Sequence, residues 1–536
     1  MWGKELKIGI SQEFENLNPL IMTMSATSYI YAMVGRALVT LDAQGRWVPQ
    51  LAVEIPSLEN KKAQLSADRK KLTVVWTIKD KATWGDGQPV TCADFAFTHK
   101  VALSPNISIG EREAYESIEK ITWEPAQPKV CTFHYKKVRW DFYQMGGFRP
   151  LPKHLEEKIF ETHKKQKEGY EKNTLYVKKP TTPGLYNGPY LITEVKLGSH
   201  VILQPNPHFY GPAPKIEKIT IKLIPNTATM EANLRSGNID MVSSLGLSFD
   251  QALSFEKKVK AENLGYQVLF KPSLTYEHID LNLEEPVLKD KKVRQALIYA
   301  LNREELVQAL FEGRQPVAKH NLAPIDPWYS EDPKLITVYD FSKRKAAKLL
   351  DEAGWKLEKD GYRYKDGKKL SLTLMTTAGN KTRETVQTFL QEQWKQVGLE
   401  ILIKNEPARV LFSETTKKRA YPGMVMYAWV SAPESSPRST LSCDSVPKAS
   451  NGWSGQNFVG YCNPEMDKLI AALEVEFDPS KRKTLAQQIL KLYTEDAFVI
   501  PLYYRSDIAV IPKDLKGFEL TGHMYAETQA VENWEW

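Results

Sequence analysis

Trp84-Gly85-Asp86-Gly87-Gln88-Pro89-Val90-Thr91-Cys92-Ala93-Asp94-Phe95-Ala96-Phe97 is the stretch on which the fold turns. Just upstream, residues 71–79 place Leu72, Val74, Trp76 and Ile78 at alternate positions, the period of a strand with one buried face. Asp86-Gly87 is turn chemistry, because glycine adopts backbone conformations that other residues resist. Thr91 or Asp94 then caps a helix carrying Phe95 and Phe97. Strand, tight turn and capped helix in direct succession mark a mixed α/β chain.

The same alternation extends outward in both directions. Residues 6–10 read as a strand, and residues 25–38 as a helical run. Residues 161–183 are Lys-rich, lack apolar periodicity and end in Pro180 and Pro183, which reads as a surface excursion. Strand patterns return at residues 200–204, 216–224 and 279–283, the last passing between lobes. The second half is richer in helix starts. Asp290, Asn302 and Ser342 each precede an apolar helical face, and Asn463-Pro464 and Asp478-Pro479 are cap-then-proline starts. Val386, Phe389, Leu390, Trp394 and Val397 form one helix face that stops at Gly398, between strands at residues 370–375 and 399–404. Residues 423–430 are apolar and of strand length.

The chain has 536 residues, enough for about three domains or two large lobes. Its 72 basic and 65 acidic residues leave +7, spread without a basic block, which argues against a nucleic-acid surface. No stretch approaches the ~20 apolar residues of a membrane helix. Met1-Trp2-Gly3-Lys4 runs straight into the first strand without an apolar leader. An exported protein would here be in its mature form with a new start Met. Four cysteines, Cys92, Cys131, Cys443 and Cys462, contain no CxxC pair, so a thiolate zinc site is not expected. There is no GxSxG, HExxH, P-loop or GxGxxG motif, and no two histidines lie three or four residues apart. No catalytic residue, metal or cofactor is expected. The acid pairs Glu156-Glu157 and Glu284-Glu285 read as solvated surface, and His154 as a structural histidine at a chain turn. Aromatics are plentiful, with 13 Trp and 24 Tyr, which suits either core packing or an aromatic-lined cleft.

Five separated segments together resemble the oligopeptide/dipeptide/nickel-binding family of bacterial extracellular solute-binding proteins. The first is the stretch quoted above, similar to a W-x-D-G-x-x-[VLF]-T-A-x-D-V-x-F signature with Cys92 at a usual Ala. The others are Asn187-Gly188-Pro189-Tyr190, continuing to Asn206-Pro207 and Tyr210-Gly211; Leu234 to Asp240; Val293 to Leu297 with Tyr299 to Arg303; and Gly460 to Asp467, ending in Ile500 to Tyr504. The resemblance implies a periplasmic-binding-protein-like, two-lobed α/β fold with an extra domain. Domain I would combine residues 1–47, 185–275 and 497–536; domain II would be 48–184 and domain III 276–496. Ligand would lie between domains I and III, with the lobes closing by hinge motion. The implied function is capture of a solute outside the cytoplasmic membrane, in the periplasm or lipid-anchored, for an ABC importer permease with its ATPase subunits. The protein would act as a monomer.

In peptide-binding relatives a strand ending in Trp-x-x-Asp lines the cleft, and the Asp pairs with the peptide amine. The matching stretch is Tyr427-Ala428-Trp429-Val430-Ser431-Ala432-Pro433-Glu434, with Ala432 at the Asp position. Glu434 is a substitute two residues on. The resemblance makes Trp429 a cleft-facing ring and the backbones of Ala428 and Val430 partners for a ligand strand. The alternative for Trp429 is a core ring. Ser431, Tyr427, Tyr29, Tyr276, Thr377, Asn380 and Tyr503 are placed near the ligand by the same analogy. Dipeptide-specific relatives place an Arg before the next helix; here the first is Arg383. An oligopeptide with loosely held ends is one ligand, and an oligosaccharide, opine-like conjugate or metal chelate the other. A secreted hydrolase or chaperone-like binder is a third reading. Cys443 and Cys462 resemble paired cysteines of dipeptide-binding relatives, whereas Cys92 and Cys131 are left either bridged or as thiols.

Overall fold

The computed structural model describes residues 5–12, 14, 16–22, 24–107, 109, 113–224, 226–407, 410–451, 453 and 455–536. The chain divides into two compact units. The first comprises Met1–Lys271, Asp507–Thr521 and Tyr525–Trp536, and the second Pro272–Ser506 and Gly522–Met524.

In the first unit, β1 (Glu5–Ile10) buries Leu6, Ile8 and Ile10. β2 (Val39–Leu41) and β3 (Trp47–Pro49) form a hairpin. β4 (Ala63–Leu65), β5 (Leu72–Thr77), β6 (Ile118–Thr122) and β7 (Val130–Tyr135) make an antiparallel sheet in the order β4-β5-β7-β6. Leu72, Val74 and Trp76 of β5 face its core, as their alternation requires. The chain then turns at Gly87, whose φ of +85° favours glycine, and enters the helix Cys92–Ala102. Asp94 holds that entry. Its carboxylate accepts from Thr91 N–H at 2.9 Å and from Lys153 N–H, at the start of the helix Lys153–His163, at 2.9 Å. Cys92 is bonded to Cys131 on β7, so the helix start is also covalently tied to the sheet. His154 sits against the same turn, with Nε2 2.8 Å from Asp86 Oδ2. A second sheet takes β8 (Tyr190–Lys196), β9 (His200–Pro205), β10 (Lys218–Leu223) and β11 (Met241–Val242), in the order β8-β9-β10-β1-β11.

Residues 161–183 correct the sequence reading. Their lysines are on the surface, but the segment belongs to three helices, Lys153–His163, Gly169–Asn173 and Leu175–Lys178. Tyr170 and Tyr176 anchor it in the core. Two tyrosines six residues apart leave no helical period to read. Glu156 is likewise not solvated. It is buried, accepting from Thr174 Oγ1 at 2.7 Å and Leu175 N–H at 2.9 Å.

The long strand β12 (Tyr266–Leu281) carries the chain into the second unit. There β13 (Lys356–Leu357), β14 (Arg363–Lys365) and β15 (Lys368–Lys369) form a small sheet. β16 (Ser371–Met375), β17 (Glu400–Ile403), β18 (Gly423–Val430) and the start of β19 (Val499–Pro512) join β12 in the order β17-β16-β18-β12-β19. β16 runs parallel to β17 and β18, and β18 antiparallel to β12. Gly423 opens β18 at φ +106°, where a Cβ would meet the Thr373 carbonyl at 2.9 Å. The helices start where side chains can accept their first backbone N–H groups. Asp290, Asn302, Ser342, Asn380, Asn463 and Asp478 all do so. Cys443 is bonded to Cys462 across the loop before the helix Pro464–Val475. No helix among the described residues is long and apolar enough to cross a membrane.

Candidate ligand-binding site

β18 emerges from the core of the second unit. Residues 423–427 are buried, Ala428 and Trp429 half-buried, and Val430 is 61% exposed. Ser431 N–H donates to the Leu274 carbonyl at 3.1 Å, and at the other end of the ladder Asn282 N–H donates to the Gly423 carbonyl at 2.8 Å, so the odd-numbered residues of β18 turn their backbone groups toward β12. Hydrogen-bonded pairs alternate along an antiparallel ladder. With Tyr276 opposite Trp429 and Thr275 opposite Val430, the backbone groups of Trp429 face β12. Those of Ala428 and Val430 face away from it.

On that far side the β16 ladder stops at Met375 and Val425. The Met426 carbonyl accepts from Thr376 Oγ1 at 2.8 Å. The chain then departs from β18: Thr377 bridges Glu406, and Ala378 N–H donates to the Glu406 carbonyl at 2.8 Å. No strand among the described residues pairs with Ala428 or Val430 on this side. Two residues of backbone are therefore left open at the end of a strand that is otherwise paired on both sides. Such an edge accepts an extended chain through main-chain hydrogen bonds.

The two faces of this edge differ. On one, the Trp429 ring stacks on Phe458 at 6.1 Å and meets the edge of Tyr427 at 5.5 Å. Phe412 meets Tyr427 in turn at 5.7 Å. On the other face Glu277 lies opposite Ala428. It is fully buried and is bound by Arg383, and by Arg505 Nη2 at 2.8 Å. Burial pushes its carboxyl up, but the Arg505 and Arg383 charges outweigh that and hold it below the ordinary glutamate value. Two guanidinium groups on one carboxylate leave this cluster with one net positive charge.

The other sequence candidates divide between the units. Thr377 Oγ1 accepts from Arg383 Nη1 at 3.1 Å, and Asn380 Oδ1 from Arg383 N–H at 3.1 Å, so both gather around the Glu277 cluster. Ser431 Oγ donates to the Leu274 carbonyl at 3.2 Å. Tyr427 is buried, with its hydroxyl on Asp280. Tyr276 is buried and stacked on His278 at 4.6 Å. Tyr503, on β19, is buried against Phe311 at 4.7 Å. Tyr29 belongs to the first unit, buried, with its hydroxyl 2.8 Å from Ser243 Oγ. Glu434 stands at φ +53° and its N–H donates to Asp326 Oδ2 at 3.2 Å. Burial raises the Glu434 carboxyl, partly offset by Arg482 and by a hydrogen bond with Trp328. Asp326 itself is buried and pushed up to about 7. No group of three or more His, Cys, Asp and Glu among the described residues is arranged to hold a metal ion.

Sequence reasoning missed Glu277, Arg505, Phe412 and Phe458. Glu277 carried a signal, because period two puts it on the face of the buried Ile279. An acid on an apolar face needs a cation. Phe412 lies in the short π-helix Leu411–Thr416 and Phe458 in a turn, and neither carried a signal.

The model of the bacterial extracellular solute-binding proteins, family 5 (middle region), matches residues 46–449. An oligopeptide-binding protein, AppA, of Bacillus subtilis is 28% identical over 535 residues, covering 99% of this chain and 91% of its own length. An oligopeptide-binding protein, OppA, of Lactococcus lactis is 26% identical over 495 residues, covering 85% and 78%. The crystal structure of an oligopeptide-binding protein from Thermus thermophilus, complexed with a pentapeptide, superposes with a TM-score of 0.74 at 28% identity, covering 99% of this chain and 96% of that one. The match over residues 46–449, about three quarters of the chain, places it in its family: it belongs to the bacterial extracellular solute-binding proteins, family 5.

Proposed function

We propose that this protein captures oligopeptides as an added strand on the open edge of β18 and delivers them to an ABC-type importer, catalysing nothing itself. The observation that carries the reading is the outward-facing backbone of Ala428 and Val430, left open where β16 turns away to Glu406. Main-chain pairing is indifferent to side-chain identity, which suits a carrier of varied peptides. Trp429, half-buried beside that edge, supplies apolar surface. The oligopeptide-binding relatives and the pentapeptide complex of the Thermus protein support the same ligand class. We further propose the three-domain division with boundaries near residues 47, 184, 275 and 496, a monomeric carrier, and a location outside the cytoplasmic membrane.

Titration calorimetry with pentaalanine tests the ligand class. Saturable one-to-one binding is expected, together with peptides released from denatured protein and seen by mass spectrometry. Binding of a nickel chelate or an oligosaccharide, with no response to pentapeptides, would replace this reading by the non-peptide one. Hydrolysis of peptides or esters that follows the repurified protein would remove the non-enzymatic part.

A further inference from the structure

We infer that the ring row Phe412, Tyr427, Trp429 and Phe458 is a side-chain subsite that selects peptides with a large apolar or aromatic residue. This rests on the strand-addition reading of the same site. An extended peptide on β18 would point successive side chains to opposite faces. On the Trp429 face it would meet Phe412 and Trp429, linked through the buried Tyr427 at ring spacings of 5.7 and 5.5 Å, and Phe458, 6.1 Å from Trp429. Tyr427 is buried beneath them, but Phe412 is 40% exposed and Trp429 and Phe458 are half-buried, so the row presents apolar surface beside the open backbone. Part-exposed rings clustered beside an open strand edge mark a binding surface more than scattered ones do. The occupant follows from continuity with the edge: the backbone that fills the gap at Ala428 and Val430 carries its own side chain onto the rings.

The position of the charges supports the assignment. Ala432 stands where the resemblance has an acid for the peptide amine, and Glu434 is engaged with Trp328 and Arg482. With no carboxylate partner for a terminus on this strand, discrimination among peptides falls to side-chain burial. Offset and edge-on ring contacts reward an aromatic guest beyond its area.

Calorimetry compares pentaalanine with a pentapeptide carrying phenylalanine at its centre and alanine elsewhere, on wild type, Phe412→Ala and Phe412→Leu. The phenylalanine peptide should bind wild type about tenfold or more tightly than pentaalanine. That ratio should shrink toward one in Phe412→Ala and be intermediate in Phe412→Leu, whose retained apolar bulk guards against a folding artefact. Equal affinities for the two peptides on wild type, or a ratio untouched by both substitutions, would overturn the subsite and leave strand addition standing. No binding of either peptide would overturn strand addition and the subsite with it.

Discussion

Val430→Pro should separate ligand binding from stability. Proline removes one backbone N–H and fixes φ near −65°, so in a sheet it is tolerated only where that N–H faces no partner strand. The pairing of Ser431 with Leu274 puts the Val430 N–H on the side away from β12, where β16 has already ended. The side chain is 61% exposed, so little packing is lost. The expected change in unfolding free energy is within about 0.5 kcal/mol, as for a surface substitution. A bound peptide would lose one donor and keep a desolvated carbonyl without a partner, at a cost of about 1–3 kcal/mol. At about 1.4 kcal/mol per decade, that is roughly five- to a hundredfold weaker binding. Val430→Ala keeps the N–H and should bind pentaalanine like wild type. Calorimetric titration and thermal unfolding of the three proteins decide the matter. Wild-type affinity in Val430→Pro would refute the open-edge argument, and a large drop in its melting temperature would show that the N–H was paired within the protein.

Trp429→Ala should weaken peptide binding at least about tenfold while costing about 2 kcal/mol of stability, less than the 3–5 kcal/mol of a fully buried ring, because Trp429 is only half-buried. Unchanged affinity with a core-sized stability loss would remove the ring from the site. Asp326 is buried and its carboxyl is raised to about 7, so the folded state holds a proton that the unfolded state has lost between about pH 4 and 7. Stability should therefore fall as pH rises through that window, by up to roughly 3–4 kcal/mol, and level off above it; Asp326→Asn should flatten the profile, and an unaltered profile in that variant would assign the slope to other groups. Replacing Cys443 and Cys462 together by Ser should cost about 3 kcal/mol, the loop-closure value for their separation of 19 residues, read by denaturant unfolding against wild type. A difference below about 1 kcal/mol would mean that this bridge does not restrict the unfolded chain.

Much of the fold was legible because its signals are local. Asp290, Asn302, Ser342, Asn463 and Asp478 announce their helices within a few residues, and β5 shows its buried face in six. The failures fall where packing is not periodic. Sequence alternation reveals residues 279–283, yet only 279–281 belong to the strand, which begins at Tyr266 and ends at Leu281. Its residues 267–272 are half-buried throughout, so no face alternates there. Tyr170 and Tyr176 anchor a lysine-rich segment through single rings, which a moment or a period does not register.

The open edge of β18 was legible only through the strand that bears it. That Trp429 lies on a strand follows from its neighbours, but that Ala428 and Val430 stand open depends on where β16 ends and on the turn toward Glu406. Glu277 shows the same limit from the other side. Its place between Tyr276 and His278 signals a buried acid, while its partners Arg383 and Arg505 lie 106 and 228 residues further along the chain. Removing either guanidinium leaves part of a desolvated charge uncompensated, so this cluster is bound to persist with both. Its net positive charge on the Ala428 face would then repel the amine of a peptide bound as proposed. On the proposed strand-addition reading, Ala432 then offers no anchor for the amine, and recognition would rest on the open backbone and the rings.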